Sequence, residues 1–392
     1  MASVDPPIRV MAVVEWHPPA YKAGGPVRSV HNLVRLLQGT GKVELEVVTG
    51  AYELGSQTPL EGITLNEPTV EDGVKVCRLT KDRWTRKHWR ERLHGDHRPD
   101  VVYLNSLFSV PFALHPLWEA KRQGIRVVLA PRGMLGAGSL AIKPLKKKAF
   151  LWASKALGWF DGLTWHASTQ VEKEDIERHF PAGQVRVASN VPLMPLNPPP
   201  SASWPDDGPL KLLVLGRIHP IKNVAFALDV LASMALPPQG VEVELVGPAE
   251  DEGHLRRLLE CSSVRLKVTH LGAMNPHALA PIWARNHALL MPSLHENFGH
   301  ATVEAWAHGR PVLLSDRTPW KGLDALQVGE DLPLDRVQWK QAFGRMLERD
   351  EAWWKDCHQA CLDHHRALCE AEAMTQSNLA LFLEGWALPQ TP

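Results

Sequence analysis

No apolar run in this 392-residue sequence is long enough to cross a membrane. The longer runs, such as residues 10–14, have the length of a β-strand, whereas a membrane-spanning helix needs about 20 apolar residues. Asp5, Pro6 and Pro7 precede that run, and a signal peptide has neither these flanks nor so short an apolar segment. We therefore expect neither a transmembrane helix nor a secretory signal.

Cysteine is scarce, with five residues in the whole chain. An odd and sparse set does not make a disulfide scaffold, so we expect a reducing, cytoplasmic location. With 44% hydrophobic and 22% charged residues, the chain is neither disordered nor a coiled-coil rod. At about 150 residues per domain, its length predicts two domains.

Several motifs that bind cofactors are missing. The sequence has no G-x-G-x-x-G fingerprint and no Walker A lysine, which argues against nicotinamide enzymes and P-loop NTPases. It has no HExxH and no Asp-x-Asp, so we predict no metal site and no other cofactor. The stripe of cysteines and histidines in residues 357–369 would span about 18 Å of helix, too long for one tetrahedral ion, and is predicted to be a packed face.

The formal net charge of zero hides an asymmetry between the two halves. Residues 1–195 contain 26 Lys+Arg and 19 Asp+Glu, a balance of +7, so the remainder carries −7. A basic half can meet phosphates or an anionic membrane, or its charges can be scattered surface charge. A neutral chain without a recognisable nucleic-acid module argues against nucleic-acid binding.

Short apolar strands alternate with helical segments, which predicts a parallel, doubly wound sheet in each half. Thr169 and Glu172 have the spacing of a capping box at the start of one helix. The predicted strands are 8–14, 43–48, 74–79, 101–104, 127–130, 163–167, 210–215, 241–246, 265–269, 288–291 and 311–315. The predicted helices are 27–37, 111–122, 145–158, 170–179, 225–235, 254–261, 277–285 and 300–308, and the chain is expected to be helical from Asp335 onward.

Seven prolines lie between residues 192 and 209, and proline disfavours both helix and sheet interior. We therefore predict a first α/β domain over 1–195, a linker over 196–209 and a second α/β domain over 210–370. A C-terminal helix over 371–392 is expected to pack back on the first domain. The two Rossmann-like domains are predicted to face each other across a cleft.

Polar, glycine-bearing segments follow the strands of both domains, at the sheet edge where open parallel sheets bind ligands. In the first domain these segments supply Tyr21, Lys22, Asn105 and Arg132 as candidates for contacting a substrate. The pair at 24–25 lets the backbone approach an anion before a helix. An ordinary turn uses the same glycines, so this pair alone decides nothing.

In the second domain, Arg217 and Lys222 lie across a strand-to-helix turn, where two cations can clamp a diphosphate. Glu296 and Glu304 lie eight residues apart, and a carboxylate can accept hydrogen bonds from two sugar hydroxyls. Amides near residues 298–300 would face a phosphate at a helix start. The alternatives are solvated surface cations and, for Glu304, a solvated helix face, although its neighbours are apolar.

Taken together, these segments resemble the donor site of glycosyltransferase family 4. The resemblance rests on Gly216-Arg217 with Lys222-Asn223, on the segments 292–299 and 304–312, and on 19–29 and 130–134, and covers about residues 8–330. It implies the GT-B fold, a nucleotide-sugar co-substrate and retention at the anomeric carbon. It also implies a hexosyltransferase-type activity toward a glycan or lipid-linked acceptor, in surface polysaccharide biosynthesis.

Carried over by position, the resemblance assigns roles to individual residues. Arg217 and Lys222 should hold the donor diphosphate, while Glu296 should bind the transferred sugar. Glu304 should bind the ribose hydroxyls, and residues 270–274 should line the base pocket. Three positions should crowd the phosphates: Gly25, Phe298 and Gly299.

Two positions depart from the family pattern. Many relatives have a histidine where this chain has Arg132, and an arginine cannot act as a base. A role of Arg132 as a general base is therefore excluded, whereas binding of a phosphate or of the acceptor remains possible for it. Asn286 and His287 replace a usual aspartate before the donor loop, and we expect them to be structural.

Two other functions fit the same fold, because a fold does not fix a function. One is a nucleotide-sugar epimerase or hydrolase. The other is a non-catalytic carbohydrate- or nucleotide-binding protein, which would be expected to lose one of the four charged donor-site residues.

The basic segment around residues 143–152 has two interpretations. Lys143, Lys146, Lys147 and Lys148 adjoin aromatic residues, which is typical of a helix on an anionic membrane surface. Alternatively, Phe150 and Trp152 pack into the domain while the lysines face water.

Overall fold

The computed structural model describes residues 6–95, 98–141, 143–194 and 208–383. The chain forms two compact units, one made of residues up to Val191 together with those from Ala371 onward, and one of Pro192–Glu370. The first unit thus ends near the predicted boundary at 195. The predicted linker at 196–209 lies almost entirely outside the described residues.

The first unit is built on a sheet that is parallel except at one edge. Among the described residues its strands lie in the order β3-β4-β2-β1-β5-β6-β7-β8, and the β3–β4 pair is antiparallel. These strands are β1 (Ile8–Val13), β2 (Val43–Gly50), β3 (Pro68–Glu71), β4 (Val74–Leu79), β5 (Val101–Leu104), β6 (Arg126–Leu129), β7 (Thr164–Ala167) and β8 (Gln184–Val187). The helices between them are α1 (Gly25–Gln38), α2 (Arg86–Arg92), α3 (His115–Arg122), α4 (Ala137–Leu140), α5 (Pro144–Ala156) and α6 (Gln170–His179).

The second unit has a sheet whose described strands are all parallel, in the order β11-β10-β9-β12-β13-β14. The strands are β9 (Leu210–Leu215), β10 (Val241–Val246), β11 (Leu266–Gly272), β12 (Ala288–Met291), β13 (Val312–Ser315) and β14 (Gly329–Leu332). The helices are α7 (Val224–Ala232), α8 (Glu252–Leu259), α9 (Ala280–Arg285), α10 (His300–Ala307), α11 (Arg336–Glu348) and α12 (Glu351–Glu370).

Both faces of each sheet are buried, as parallel sheets require. In β1, Val10 and Ala12 pack on the face that carries Leu33 of α1. Met11 and Val13 alternate with them and pack on the opposite face, because successive side chains of a strand point to opposite sides. This arrangement explains why the strands read as continuous apolar runs in the sequence.

The last helix, α13 (Glu372–Leu383), belongs to the first unit. Two guanidinium nitrogens of Arg126 donate to the carbonyls of Leu381 and Phe382, each at 2.8 Å. Arg186 donates to the carbonyl of Ala380 at 3.1 Å. Cations at a helix C-terminus satisfy its last carbonyls and its dipole, and they bind this helix to the sheet. No helix in the described part of the chain is both long and apolar enough to span a membrane.

The predicted parallel sheets are confirmed, but three edge or near-edge strands are absent from the prediction. The missed strands are β3, β8 and β14, whose side chains are mostly polar or exposed, so they lack the apolar signal used to find strands. The helix predicted at 277–285 was also too long. A short 3-10 turn occupies Pro276–Ala278, and α9 begins only at Ala280. Pro281 is the second residue of α9, and proline is favoured in the first turn of a helix, which agrees with this later start.

The capping box at α6 forms only in part. The hydroxyl of Thr169 accepts from the amide of Glu172 at 3.1 Å, as predicted. The carboxylate of Glu172, however, accepts from the amide and hydroxyl of Ser168, both at 2.7 Å. This buried carboxylate therefore fixes the chain just before the helix cap.

Candidate functional site

The second sheet has its topological switch point between β9 and β12, where the strand order reverses. Ligands of open α/β sheets bind outside the carboxyl ends of the strands at this point. The segments that follow β9 and β12 meet there, since the amide of Leu294 donates to the carbonyl of Ile221 at 2.8 Å. The structure thus brings together the two segments that carry the predicted Arg217, Lys222 and Glu296.

Lys222 and Glu296 form an ion pair at this edge. Their side chains are only 23% and 12% exposed, so water screens the pair less than it would on an open surface. The hydroxyl of Ser293 donates to the same carboxylate at 2.9 Å, and the amide of Glu296 donates to the carbonyl of Arg317 at 3.1 Å. Both partners are therefore held in place before any ligand binds.

Arg217 forms a looser pair with a residue that the sequence analysis missed. Its Nη1 lies 2.7 Å from Oε1 of Glu250, and both side chains are nearly half exposed. An exposed pair of this kind is weak and exchanges with solvent, so Arg217 can leave Glu250 for another anion. Glu250 follows β10 at the same sheet edge, which is the signal that could have identified it.

Glycines let the ends of β9 and β10 touch. A Cβ added to Gly247 would lie 1.9 Å from the carbonyl oxygen of Gly216, and φ at Gly247 is +146°. The amide of Gly216 donates to Val246 at 2.9 Å. Nε2 of His270, in β11, donates to the carbonyl of Gly247 at 2.8 Å. The first residue of the predicted base pocket at 270–274 thus lies at the same sheet edge as the cations.

Helix α10 begins at this edge with free backbone donors. Gly299 caps it with φ +78°, and the amides of Phe298 and Gly299 donate to no group in the described part of the protein. The ring of Phe298 is buried, and Nε1 of Trp320 donates to its carbonyl at 2.5 Å. Amides held open at a helix N-terminus favour an anion.

Glu304 is 5% exposed and lies within α10. This burial argues against the alternative in which it belonged to a solvated helix face. Asn286 is also buried, and its amide donates to Glu244 at 2.8 Å and to Ile282 at 2.9 Å. His287 accepts from the amide of Lys211 at 2.9 Å, so the structure gives both of these residues structural contacts.

In the first unit the switch point lies between β1 and β5. The backbone amides of Tyr21 and Lys22 donate to the carboxylate of Glu53 at 2.9 and 3.1 Å. Their loop leads to Gly24, whose φ of +76° caps α1, and α1 begins at Gly25. Glu53 was not predicted, because its role depends on a contact across 32 residues.

Arg132 lies close to the end of β6 and contacts the predicted Asn105. Its Nη2 donates to Oδ1 of Asn105 at 2.9 Å and to the hydroxyl of Tyr103 at 2.6 Å. Its Nη1 donates to Oδ1 of Asn190. The tyrosine hydroxyl in turn donates to Nδ1 of His166 at 2.7 Å. The two predicted residues therefore belong to one hydrogen-bonded cluster.

Glu15 is a further candidate that the sequence analysis did not single out. It follows β1, and the hydroxyl of Ser109 donates to its carboxylate at 2.9 Å. Burial raises the pKa of Glu15, although the hydrogen bond from Ser109 opposes the shift. A carboxyl group with a raised pKa at a switch point is a functional candidate.

The structure of the basic segment in α5 agrees in part with each of the two earlier interpretations. Phe150 packs against Phe108 and Trp159, as the packing interpretation predicted. Trp152 is 74% exposed, which contradicts that interpretation for this residue. The ammonium of Lys147 donates to the carbonyl of Ser139 at 2.6 Å and its side chain is half-buried, so this lysine is less available to a membrane surface than the exposed Lys146 and Lys148.

The stripe of cysteines and histidines in α12 packs into the second unit. Cys357, Cys361, His365 and Cys369 are all buried. The thiol of Cys369 donates to the carbonyl of Leu193 at 3.3 Å. The described residues contain no group of three or more His, Cys, Asp or Glu side chains that could hold a metal ion.

Two family profiles match the chain. The profile "Glycosyl transferases group 1" matches residues 209–346, and the profile "Glycosyl transferase 4-like domain" matches residues 24–191. The first of these regions in the chain contains the strands of the first sheet except β1, and the second contains all the described strands of the second sheet. Three candidate residues lie outside the matched regions: Glu15, Tyr21 and Lys22.

Curated relatives match only part of the chain. A GDP-mannose-dependent alpha-(1-6)-phosphatidylinositol dimannoside mannosyltransferase of Mycobacterium tuberculosis is 30% identical over 154 residues, which is 38% of this chain and 39% of the relative. A D-inositol 3-phosphate glycosyltransferase of Rhodococcus erythropolis is 28% identical over 118 residues, 28% of this chain and 27% of the relative. The matches thus span well under half of these relatives.

Solved structures match almost the whole chain. The sucrose-phosphate synthase of Thermosynechococcus elongatus superposes with a TM-score of 0.66 at 17% identity, covering 96% of this chain and 98% of that one. The Anabaena protein HepE, in complex with UDP and glucose, gives a TM-score of 0.67 at 15% identity, covering 94% and 97%. At these identities the likeness defines the fold alone.

Proposed function

Because the chain belongs to glycosyltransferase family 4 and has the GT-B fold, we propose that it is a retaining enzyme that transfers a sugar from a nucleotide-sugar to a glycan or lipid-linked acceptor. The proposal includes a role in surface polysaccharide biosynthesis. The observation that carries it is the ion pair of Lys222 and Glu296 at the switch point of the second sheet. The pair puts a cation for a diphosphate beside a carboxylate for sugar hydroxyls.

The donor diphosphate binds between cations and open amides. Lys222 supplies a point charge, and Arg217 supplies a planar fork once it leaves Glu250. The amides of Phe298 and Gly299 complete the anion site from the other segment.

The carboxylates recognise hydroxyl groups of the donor. Glu296 accepts hydrogen bonds from the transferred sugar when its ammonium partner turns to the diphosphate. Glu304, buried on α10, accepts from the ribose, because a carboxylate can accept hydrogen bonds from two neighbouring hydroxyls. The nucleobase lies against residues 270–274. HepE, which has the same fold, was solved with UDP and glucose, and this supports a nucleotide as part of the donor.

Catalysis follows from where charge develops. Breaking the bond between sugar and diphosphate leaves negative charge on the departing phosphate, and Arg217 and Lys222 stabilise it electrostatically. The acceptor attacks from the face that the diphosphate leaves, and the leaving phosphate takes the acceptor's proton. No step calls for a metal ion, so we expect the reaction to be independent of one.

The acceptor binds to the first unit, near Tyr21, Lys22, Asn105 and Arg132. A lipid-linked acceptor fits the exposed side of α5, which presents Trp152 and Leu145 beside lysines. Aromatic and basic side chains of this kind suit the surface of an anionic membrane. The phosphatidylinositol dimannoside in the name of one relative supports a lipid-linked acceptor.

A panel of nucleotide-sugars tests the function. The donor should raise the melting temperature, because a ligand that binds the native state stabilises it, and release of nucleoside diphosphate should follow when acceptor is added. NMR of the new glycosidic bond should show the donor's anomeric configuration. Activity should survive EDTA. The function fails if no nucleotide-sugar stabilises the protein or is turned over.

A further inference from the structure

The cluster around Arg132 has an unusual charge balance. All the hydrogen-bond acceptors of the guanidinium are neutral: Oδ1 of Asn105, Oδ1 of Asn190 and the hydroxyl of Tyr103. In the described part of the chain, Arg132 forms no ion pair with a carboxylate. The side chain is half-buried, so its positive charge is neither neutralised by protein nor fully solvated.

The neighbouring titratable groups do not supply the missing negative charge. Burial raises the pKa of Tyr103 to about 12 and lowers the pKa of His166 to about 3, so both are neutral near pH 7. The carboxylate of Glu172 is engaged by the amide of Gly133 and by Ser168. It makes no ion pair with Arg132.

Other arginines of the first unit do have a negatively charged partner or the negative end of a helix dipole beside them. Arg78, which is 1% exposed, pairs with Glu71, and Arg92 pairs with Glu46. Arg126 donates to the last carbonyls of α13, which form the negative end of a helix dipole. A charge that is partly withdrawn from water without a partner of opposite charge is costly, so Arg132, whose protein acceptors are all neutral, calls for an external anion.

The guanidinium is also held rigidly. Nε2 of His166 donates to the carbonyl of Ala188 at 2.8 Å, which leaves Nδ1 to accept from Tyr103. The tyrosine oxygen therefore accepts from Arg132 and cannot donate to it. φ at Arg132 is +54°, a conformation that costs non-glycine residues about 1–3 kcal/mol and is found at functional sites.

Four of the five guanidinium N–H groups meet protein acceptors, which leaves one on Nη1. The cluster lies at the carboxyl ends of β5 and β6, beside the switch point of the first sheet. The guanidinium of Arg132 is therefore a fixed positive charge with one N–H group that donates to no protein acceptor. It lies at the sheet edge where open α/β sheets bind their ligands.

We propose that Arg132 binds an anionic group of a substrate, a phosphate in the first instance, and that the uncharged cluster around it exists to keep that charge available. The proposal rests on the glycosyltransferase function above. Two sources can supply the phosphate: a phosphate-bearing acceptor, or the diphosphate of the donor. Both call for the same fixed cation.

Phosphate binding by the full-length protein tests the proposal. Inorganic phosphate and glycerol phosphate should raise the melting temperature of the wild type. Sodium chloride at equal ionic strength and glycerol at equal concentration should raise it less. The Arg132→Gln variant should lose at least about tenfold in affinity for its anion, the size of one charge-assisted hydrogen bond. Arg132→Lys should lose less, because it keeps the charge.

The two possible sources of the phosphate, the acceptor and the donor, predict different binding results for the variants. If the phosphate belongs to the acceptor, glycerol phosphate should still stabilise Lys222→Ala, and Arg132→Gln should bind UDP and GDP as the wild type does. If it belongs to the donor, Arg132→Gln should bind UDP or GDP at least about tenfold more weakly. Donor binding by the wild type is the separate test of the glycosyltransferase function.

Two variants control for a purely structural role. Tyr103→Phe removes one hydrogen bond of the guanidinium but keeps its charge, so anion binding should persist. Arg126→Gln removes an arginine from the opposite end of β6, where it binds α13, and should lower stability without changing anion affinity. The proposal is overturned if Arg132→Gln binds inorganic phosphate, glycerol phosphate, UDP and GDP as the wild type does, or if Tyr103→Phe loses anion binding to the same extent as Arg132→Gln.

Discussion

The ammonium of Lys222 and the carboxylate of Glu296 join the segments that follow β9 and β12. Before a ligand binds, each neutralises the other at an edge where a diphosphate and a sugar are proposed to lie. A bound donor must therefore replace this ion pair with two separate sets of contacts. The exchange links recognition of the phosphate to recognition of the sugar.

Replacing Lys222 with alanine should lower kcat for transfer by about 100- to 1000-fold, because one preorganised donor to a developing charge contributes that much. The melting temperature should fall only slightly, since Ser293 still donates to Glu296. Steady-state kinetics with the identified donor, together with thermal unfolding, measure both effects.

Lys267 provides the matched control. It forms an exposed ion pair with Glu242 in the same unit, at 3.3 Å, and Lys267→Ala should leave transfer unchanged. Near-normal kcat in Lys222→Ala would remove this lysine from the donor site.

Replacing Gly247 with alanine should impair donor binding and lower stability. The new Cβ would lie 1.9 Å from the carbonyl oxygen of Gly216, so the ends of β9 and β10 must separate at the edge that carries Arg217. A stability loss of about 1–3 kcal/mol is expected from overpacking. Thermal unfolding and nucleotide titration measure the two effects.

Gly344 in α11 is the comparison for this variant. A Cβ there would have no neighbour within 4 Å, and alanine favours a helix over glycine by about 1 kcal/mol. Gly344→Ala should therefore raise stability and leave nucleotide binding unchanged. Unaltered nucleotide affinity in Gly247→Ala would show that the close approach of these strands does not shape the donor site.

The position of the site segments at one edge of the sheet could be predicted from sequence, because polar residues directly follow apolar strands. That pattern places Arg217, Lys222 and Glu296 at one edge. The pairing of Arg217 with Glu250 could not be predicted, since it depends on side-chain directions after β9 and β10. Asn190, which bonds to Arg132 across 58 residues, follows β8, a strand that the apolar pattern did not reveal.

Replacing Arg126 with methionine should release α13 from the first unit. The guanidinium binds the carbonyls of Leu381 and Phe382, and each hydrogen bond from a charged group contributes about 1.5–3 kcal/mol. We expect a lower melting temperature and faster hydrogen exchange in α13. Unchanged exchange in residues 372–383 would show that apolar packing alone holds this helix.

The exposed side of α5 provides the test for membrane binding. Exchange of Lys146 and Lys148 for glutamate should abolish salt-sensitive binding to vesicles that contain anionic lipid, since each lysine near such a surface contributes about 1 kcal/mol. Trp152→Ser should weaken binding at all salt concentrations, because the 74% exposed indole is the apolar part of the contact.

Lys147→Gln is the control for the two exposed lysines. The ammonium of Lys147 donates to Ser139, so this lysine should add little to vesicle binding. Nucleotide binding should be unchanged in all of these variants, because Lys222 and its neighbours belong to the other unit. If the wild type ignores anionic vesicles even at low salt, the lysines form only a solvated face, and the acceptor does not require a membrane surface.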